Sequence, residues 1–250
     1  MIGYILNDFK RAIRSKGTVL YLIGTACLIL LANIAVICFR FIYGTNEGTF
    51  SYNVFEYASW CFLIPYYSCI LIAAIVVGKE YPDPEKSPLK PWQTYIAKLI
   101  ASILLAAVFL VAAFVLLYAV TSVFHLDEGI IIWPVVKSFL SKACLSLPLW
   151  FAGISFAIMF LFVFRQRWKS YAGFAFVVFI IPQLIRVFSL DMFKNGFFRM
   201  IRRYTITQSF GLVPYPSYPE RSVPLIITLG IVYGIIALIA GIVIYQKKAS

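Results

Sequence analysis

The sequence predicts an all-α integral membrane protein with six transmembrane helices, an N-terminal amphipathic interfacial helix, and a re-entrant or interfacial segment between the fifth and sixth spans. Three observations predict this class. Six separated apolar runs start near Gly17, Phe55, Ile96, Phe139, Tyr171 and Val223. Each meets or approaches the roughly 20 apolar residues that a helix needs to cross about 30 Å of hydrocarbon. Hydrophobic residues are 62% of the chain and charged residues 13%, whereas a water-soluble domain carries about a quarter charged residues. No stretch is left over for a soluble second domain, so residues 1–250 read as one transmembrane domain.

Residues 1–16 supply the interfacial helix. Ile2, Ile5, Leu6, Phe9, Ala12 and Ile13 recur at helical spacing, while Asn7, Asp8, Lys10, Arg11 and Arg14 take the other face. That pattern suits a membrane surface, and a plain basic flank orienting the first span is the simpler alternative. The first span covers about 17–39 and leads to an outer loop with the turn formers Gly44, Asn46 and Gly48. The second, about 55–78, carries Pro65, a kink tolerated where neighbours satisfy the freed carbonyls.

Residues 79–95 are the most polar stretch, and Pro82, Pro84, Pro88 and Pro91 forbid one long helix there. A helix opening at Pro91 can still run into the third span, because proline suits a first helical position. So long and stiff a segment reads as a docking element, with a plain connector as the alternative. The third span covers about 96–120, and the fourth about 139–164 with Pro148 and Gly153 inside it. The fifth, from Tyr171, is short and interrupted by Pro182.

Residues 189–222 are neither a clean span nor a short loop. Phe193, Phe197, Phe198, Met200 and Ile201 interleave with Lys194, Arg199, Arg202 and Arg203, and three prolines follow. Such a stretch re-enters the membrane or lies on its outer face. Arg199, Arg202 and Arg203 are the candidates for outer contact, either with lipid head groups or with an anionic or amphipathic substrate. The sixth span, about 223–245, carries Gly230, Gly234, Ala237 and Gly241 on one face. A small-residue stripe lets another helix come close, inside the bundle or at a subunit interface.

The net charge of +12 is mostly a topology signal and does not call for nucleic acid. With the N-terminus inside, the inner segments hold Lys10, Arg11, Arg14, Lys16, Lys79, Lys86, Lys90, Lys98, Arg165, Arg167, Lys169, Lys247 and Lys248. The first two outer loops hold only Arg40, Lys137 and Lys142, and the third outer segment is the basic exception. Positive-inside bias therefore predicts both termini in the cytoplasm. The apolar run after Lys16 is longer than the core of a signal peptide, so it is expected to stay in the protein.

Catalytic patterns are lacking. There is no phosphate-binding Gly-x-x-x-x-Gly-Lys-Ser/Thr loop. The five cysteines show no metal or redox spacing, and His125 beside Asp127 and Glu128 reads as a solvated turn. Ionisable residues inside the spans are few. Lys142 and Arg186 come nearest, and both are within snorkelling reach of the outer boundary. A proton-coupled carrier is thus disfavoured, and a separate ATPase is the simplest source of energy for transport.

The layout resembles the membrane subunit of a type-2 ATP-binding cassette exporter, the ABC-2-like permease class. The closest local match is Gly78-Lys79-Glu80 ending the second span, with Tyr95-Ile96-Ala97-Lys98 leading into the third. That family has a Glu after its second span, a Lys opening its third, and a coupling helix between. Here the proline-rich 82–91 segment stands where relatives often carry Gly-Thr and Ser-Arg pairs. In compact length the chain is similar to small bacterial permeases for peptide-antibiotic export or immunity.

The resemblance implies a dimeric transport subunit of the bacterial plasma membrane, not an enzyme and without a cofactor of its own. It would pair with an identical or sister permease and with ATPase subunits that hold ATP and Mg. The implied substrate is amphipathic, a peptide antibiotic, another peptide or a lipid-like molecule. Coupling to the ATPase would fall to Glu80, Glu85, Trp92 and Lys98. The alternatives are a structural or assembly protein of the membrane and, less favoured, a secondary carrier.

Overall fold

A computed structural model describes residues 1–43, 66–78, 89–124, 133–164, 166–190, 196–212 and 222–247. The described residues are helical almost throughout and include no strand. In chain order the helices are α1 (Ile2–Ile13), α2 (Lys16–Tyr43), α3 (Tyr66–Val77), α4 (Pro91–Phe124) and α5 (Trp133–Phe164), then α6 (Arg167–Ala175) and α7 (Ile181–Phe188), joined through a π-helical stretch, Phe176–Ile180. After them come α8 (Gly196–Arg203), α9 (Ile206–Leu212) and α10 (Ser222–Lys247).

Five helical segments are long and apolar enough to cross a membrane: Lys16–Ala35, Pro91–Leu117, Leu140–Phe164, Arg167–Phe188 and Val223–Lys247. The protein is therefore a multi-pass, membrane-embedded helical protein. Of the expected second span, α3 is a shorter apolar helix, and 55–65 with Pro65 lies outside the described residues. So do the loop glycines near 44–48, the Glu80 and Glu85 positions, and the His125, Asp127 and Glu128 turn.

The bundle centres on α5. Against its C-terminal half pack α10, the start of α4 and α3, and the rings of Tyr95, Phe162 and Tyr245 meet where three helix ends converge. Their centroids lie 5.1 Å apart for Tyr95–Phe162 and 4.7 Å for Phe162–Tyr245. A second apolar cluster joins α1 to α3 and α4 through Ile5, Ala12, Ile72, Val76, Ala97 and Ala101. Residues near both ends of the chain thus meet at one end of the bundle.

The small-residue stripe of α10 is filled within the chain. A Cβ on Gly230 would lie 2.5 Å from the Pro148 carbonyl carbon, one on Gly234 would strike the Phe151 ring, and one on Gly241 the Tyr95 hydroxyl. Ala237, at the same face, is 1% exposed. Missing side-chain bulk is what lets α10 lie directly on α5 and α4.

One expectation changes. Pro182 does not interrupt the fifth span: Arg167–Phe188 is helical throughout, with the π-helical stretch immediately before it. Pro182 stands in the first turn of α7, immediately after that stretch, a position where proline is tolerated. Lys142 is buried in α5 at 9% exposure, whereas Arg186 is exposed.

Candidate functional site

At the end of the bundle that gathers α1, the start of α4 and the last turn of α3, four charged side chains converge. The last turn of α3 sets the geometry. Gly78 adopts a left-handed φ of 81°, and its N–H donates to the Ala74 carbonyl at 3.0 Å. A glycine closing a helix this way leaves the final carbonyls pointing outward, where the helix dipole favours cations. Arg11 Nη2 donates to the Val76 carbonyl at 2.9 Å, Lys98 Nζ lies 3.5 Å from the same oxygen, and Arg167 Nη2 donates to the Gly78 carbonyl.

Asp8 joins these groups. Its carboxylate lies 2.7 Å from Lys98 Nζ and 2.9 Å from Arg11 Nη2. Asp8 is 5% exposed and Lys98 2%. Both charges have left water, which is tolerable only because they face each other. Tyr4 adds its ring, 5.4 Å from Lys98 Nζ. Burial pushes the Tyr4 phenol up, and the Asp8 charge pushes the same way, so the phenol stays neutral beside the ammonium.

The expectation that Asp8 lies on the water-facing side of α1 is therefore overturned. At 100° per residue, Ile5, Asp8 and Ala12 share the face buried against the bundle. Ile2, Leu6 and Ile13 occupy the next face and are exposed apolar groups, and Asn7, Lys10 and Arg14 are exposed on the third. The elbow after α1 fixes its angle. Ser15 Oγ accepts from the Thr18 N–H at 3.2 Å as an N-cap of α2, and the Thr18 hydroxyl donates to the Ala12 carbonyl at 2.6 Å.

Of the residues named for coupling, Lys98 sits at the heart of this joint. Trp92 stands apart in the first turn of α4, 39% exposed. Nearby, the Lys90 N–H donates to Gln93 Oε1 at 3.1 Å, closing the start of α4 next to the 79–88 segment. Asp8, Arg11 and Arg167 are the participants that sequence reasoning did not single out, and Gly78 was named only as part of the Gly78-Lys79-Glu80 match.

Beside the joint, an open groove of about 740 Å³ runs between α2, α3 and α6. Leu20, Tyr21, Leu28, Leu71 and Ile75 form its apolar walls, and Lys16 and Arg167 stand at one end. Tyr21 and Ser68 hydroxyls meet at 2.7 Å across it.

The far end of the bundle holds the other named residues. Arg199, Arg202 and Arg203 open onto one cavity of about 430 Å³ together with Ser189, Leu190 and Gln208. Arg202 Nε donates to Gln208 Oε1 at 3.1 Å, and its Nη1 to Ser189 Oγ at 3.3 Å. Helix spacing explains why the three arginines share a face, at i, i+3 and i+4. Ser189 and Gln208 come from neighbouring elements and carry no signal in the sequence.

Among the described residues no group of three or more His, Cys, Asp or Glu side chains is placed to hold a metal ion. No family model, no curated protein and no solved structure matches the chain.

Proposed function

We propose that this protein is the membrane subunit of an ATP-driven exporter, with the joint around Asp8 and Lys98 as the place where force enters the spans. The observation that carries the reading is the ion pair itself, 2.7 Å long and buried, between the interfacial helix and the foot of α4. Gly78, at the joint, is followed in the chain by residues 79–95, the polar segment assigned to docking. A load applied there reaches α1, α3 and α4 together, because Asp8, Arg11, Lys98 and the Val76 carbonyl are held by charge-assisted contacts.

The reading has further parts. The full chain crosses the membrane six times, with α3 continued by 55–65 as the second span, and 189–222 re-enters from the outer side. Tyr233 in α10 donates to the Tyr204 carbonyl at 3.1 Å, and Phe210 packs on Tyr66 at 4.8 Å, which supports that depth. The joint end is cytoplasmic, in the plasma membrane of a bacterium. Two permease subunits and two ATPase subunits, the latter carrying ATP and Mg, complete the machine. An amphipathic substrate suits the groove between α2, α3 and α6, whose walls are apolar and whose end is basic.

The test is co-purification from native membranes. An ATP-binding cassette ATPase should accompany the full-length chain, and replacing residues 79–90 with a Gly/Ser linker should release it while the chain stays folded. An ATPase that remains bound after that replacement removes the docking assignment. A preparation with no ATPase at all leaves a structural or assembly role as the better description.

A further inference from the structure

We propose that Arg199, Arg202 and Arg203, with Ser189 and Gln208, form a binding site for the phosphate of an anionic lipid head group at the membrane boundary opposite the Asp8–Lys98 joint. Charge comes first. Three guanidinium groups line one cavity. Guanidinium forks match phosphate oxygens in shape as well as in sign.

The cavity is also built. Arg202 is held at two points, by Gln208 Oε1 and by Ser189 Oγ. Ser189 is only 4% exposed, and its hydroxyl is itself anchored by donating to the Arg186 carbonyl at 2.7 Å. Arg202 is thus oriented before any ligand arrives, which lowers the ordering cost of binding.

Position selects a lipid over a free ion. The span from Arg167 to Phe188 is 22 residues, about 33 Å at 1.5 Å per residue, so Ser189 lies one hydrocarbon thickness from the joint. On α8 the arginines occupy one side, while Phe197 and Met200 stand exposed on the other at 61% and 55%. Phe198 stacks on Phe188 with centroids 5.3 Å apart, tying α8 to α7. An apolar face beside a basic one is how a helix rests among head groups. The cavity of about 430 Å³ has room for a phosphate together with its substituent.

This site does not depend on an ATPase. It is tested by native mass spectrometry of the full chain with equal amounts of phosphatidylglycerol and phosphatidylcholine. The parent chain should retain phosphatidylglycerol in preference, and the R199Q/R202Q/R203Q variant should lose that preference by tenfold or more. R203Q alone, away from the Ser189 and Gln208 anchors, should lose part of it with unchanged helical content, which separates binding from misfolding. K10Q/R14Q, at the other end, should keep it. An undiminished preference in the triple variant overturns the proposal. Thermal stabilisation by inorganic phosphate without any lipid preference overturns the lipid assignment and leaves a free-phosphate site.

Discussion

Lys98 and Asp8 are each nearly sealed from water, so the cost of removing one falls on the other. Lys98→Met leaves a buried carboxylate held only by Arg11. Stranding one partner of a buried pair costs about 3–5 kcal/mol, and the remaining Arg11 contact places this case near the lower figure. The double variant D8N/K98M removes both charges and should recover part of the loss. The measurement is a thermal unfolding series in detergent, read as a double-mutant cycle. Two single variants that melt with the parent protein would show that the pair contributes nothing to holding α1.

At the level of the helix, the same substitution has opposite effects on two glycines. A methyl on Gly230 meets Pro148 at 2.5 Å, whereas at Gly24 nothing among the described residues lies within 4 Å. Gly230→Ala should therefore destabilise by about 1–3 kcal/mol through overpacking between α10 and α5. Gly24→Ala should stabilise α2 by up to about 1 kcal/mol through helix propensity. Melting temperatures moving in the same direction for both would contradict the packing of α10 described here.

Helices also mark how far the sequence could be read. The long apolar segments were legible, because a hydrocarbon layer of set thickness demands runs of set length, and Pro91 announced the start of α4. The place of Asp8 was not. A two-sided helical wheel assumes one polar and one apolar side, but α1 has three faces: polar exposed, apolar exposed, and buried against the bundle. A carboxylate between the first and the last of these reads as polar surface until its partner 90 residues away is known. Pro182 was legible as a missing donor, but not the π-helical stretch that precedes it. The arginine cavity was half legible: one helix face grouped the three cations, whereas Ser189 and Gln208 join them only through tertiary folding.

Across the whole molecule, the contacts from Asp8 to Lys98, from Tyr95 to Phe162 and from Phe162 to Tyr245 gather the two terminal regions at one end. Single cysteines placed at Lys10 and Lys247, in a chain whose native cysteines are replaced, should react with an impermeant maleimide from the same side of sealed vesicles. A cysteine at Arg203 should react from the opposite side. Labelling of positions 10 and 247 from different sides would require another arrangement of spans.

The π-helical stretch Phe176–Ile180 carries one more consequence for the molecule as a moving object. An extra residue in one turn is a dislocation in an otherwise regular screw, and it puts the two halves of the span out of phase by about 100°. Tyr171 before it faces the groove, and Phe179 within it meets Tyr67 at 5.5 Å. Were that dislocation to shift along the helix, each residue it passed would turn and exchange one carbonyl partner for the next, and Pro182, with no N–H to exchange, would stop it on one side. The other side leads to Arg167, which donates to the Gly78 carbonyl beside the joint around Asp8.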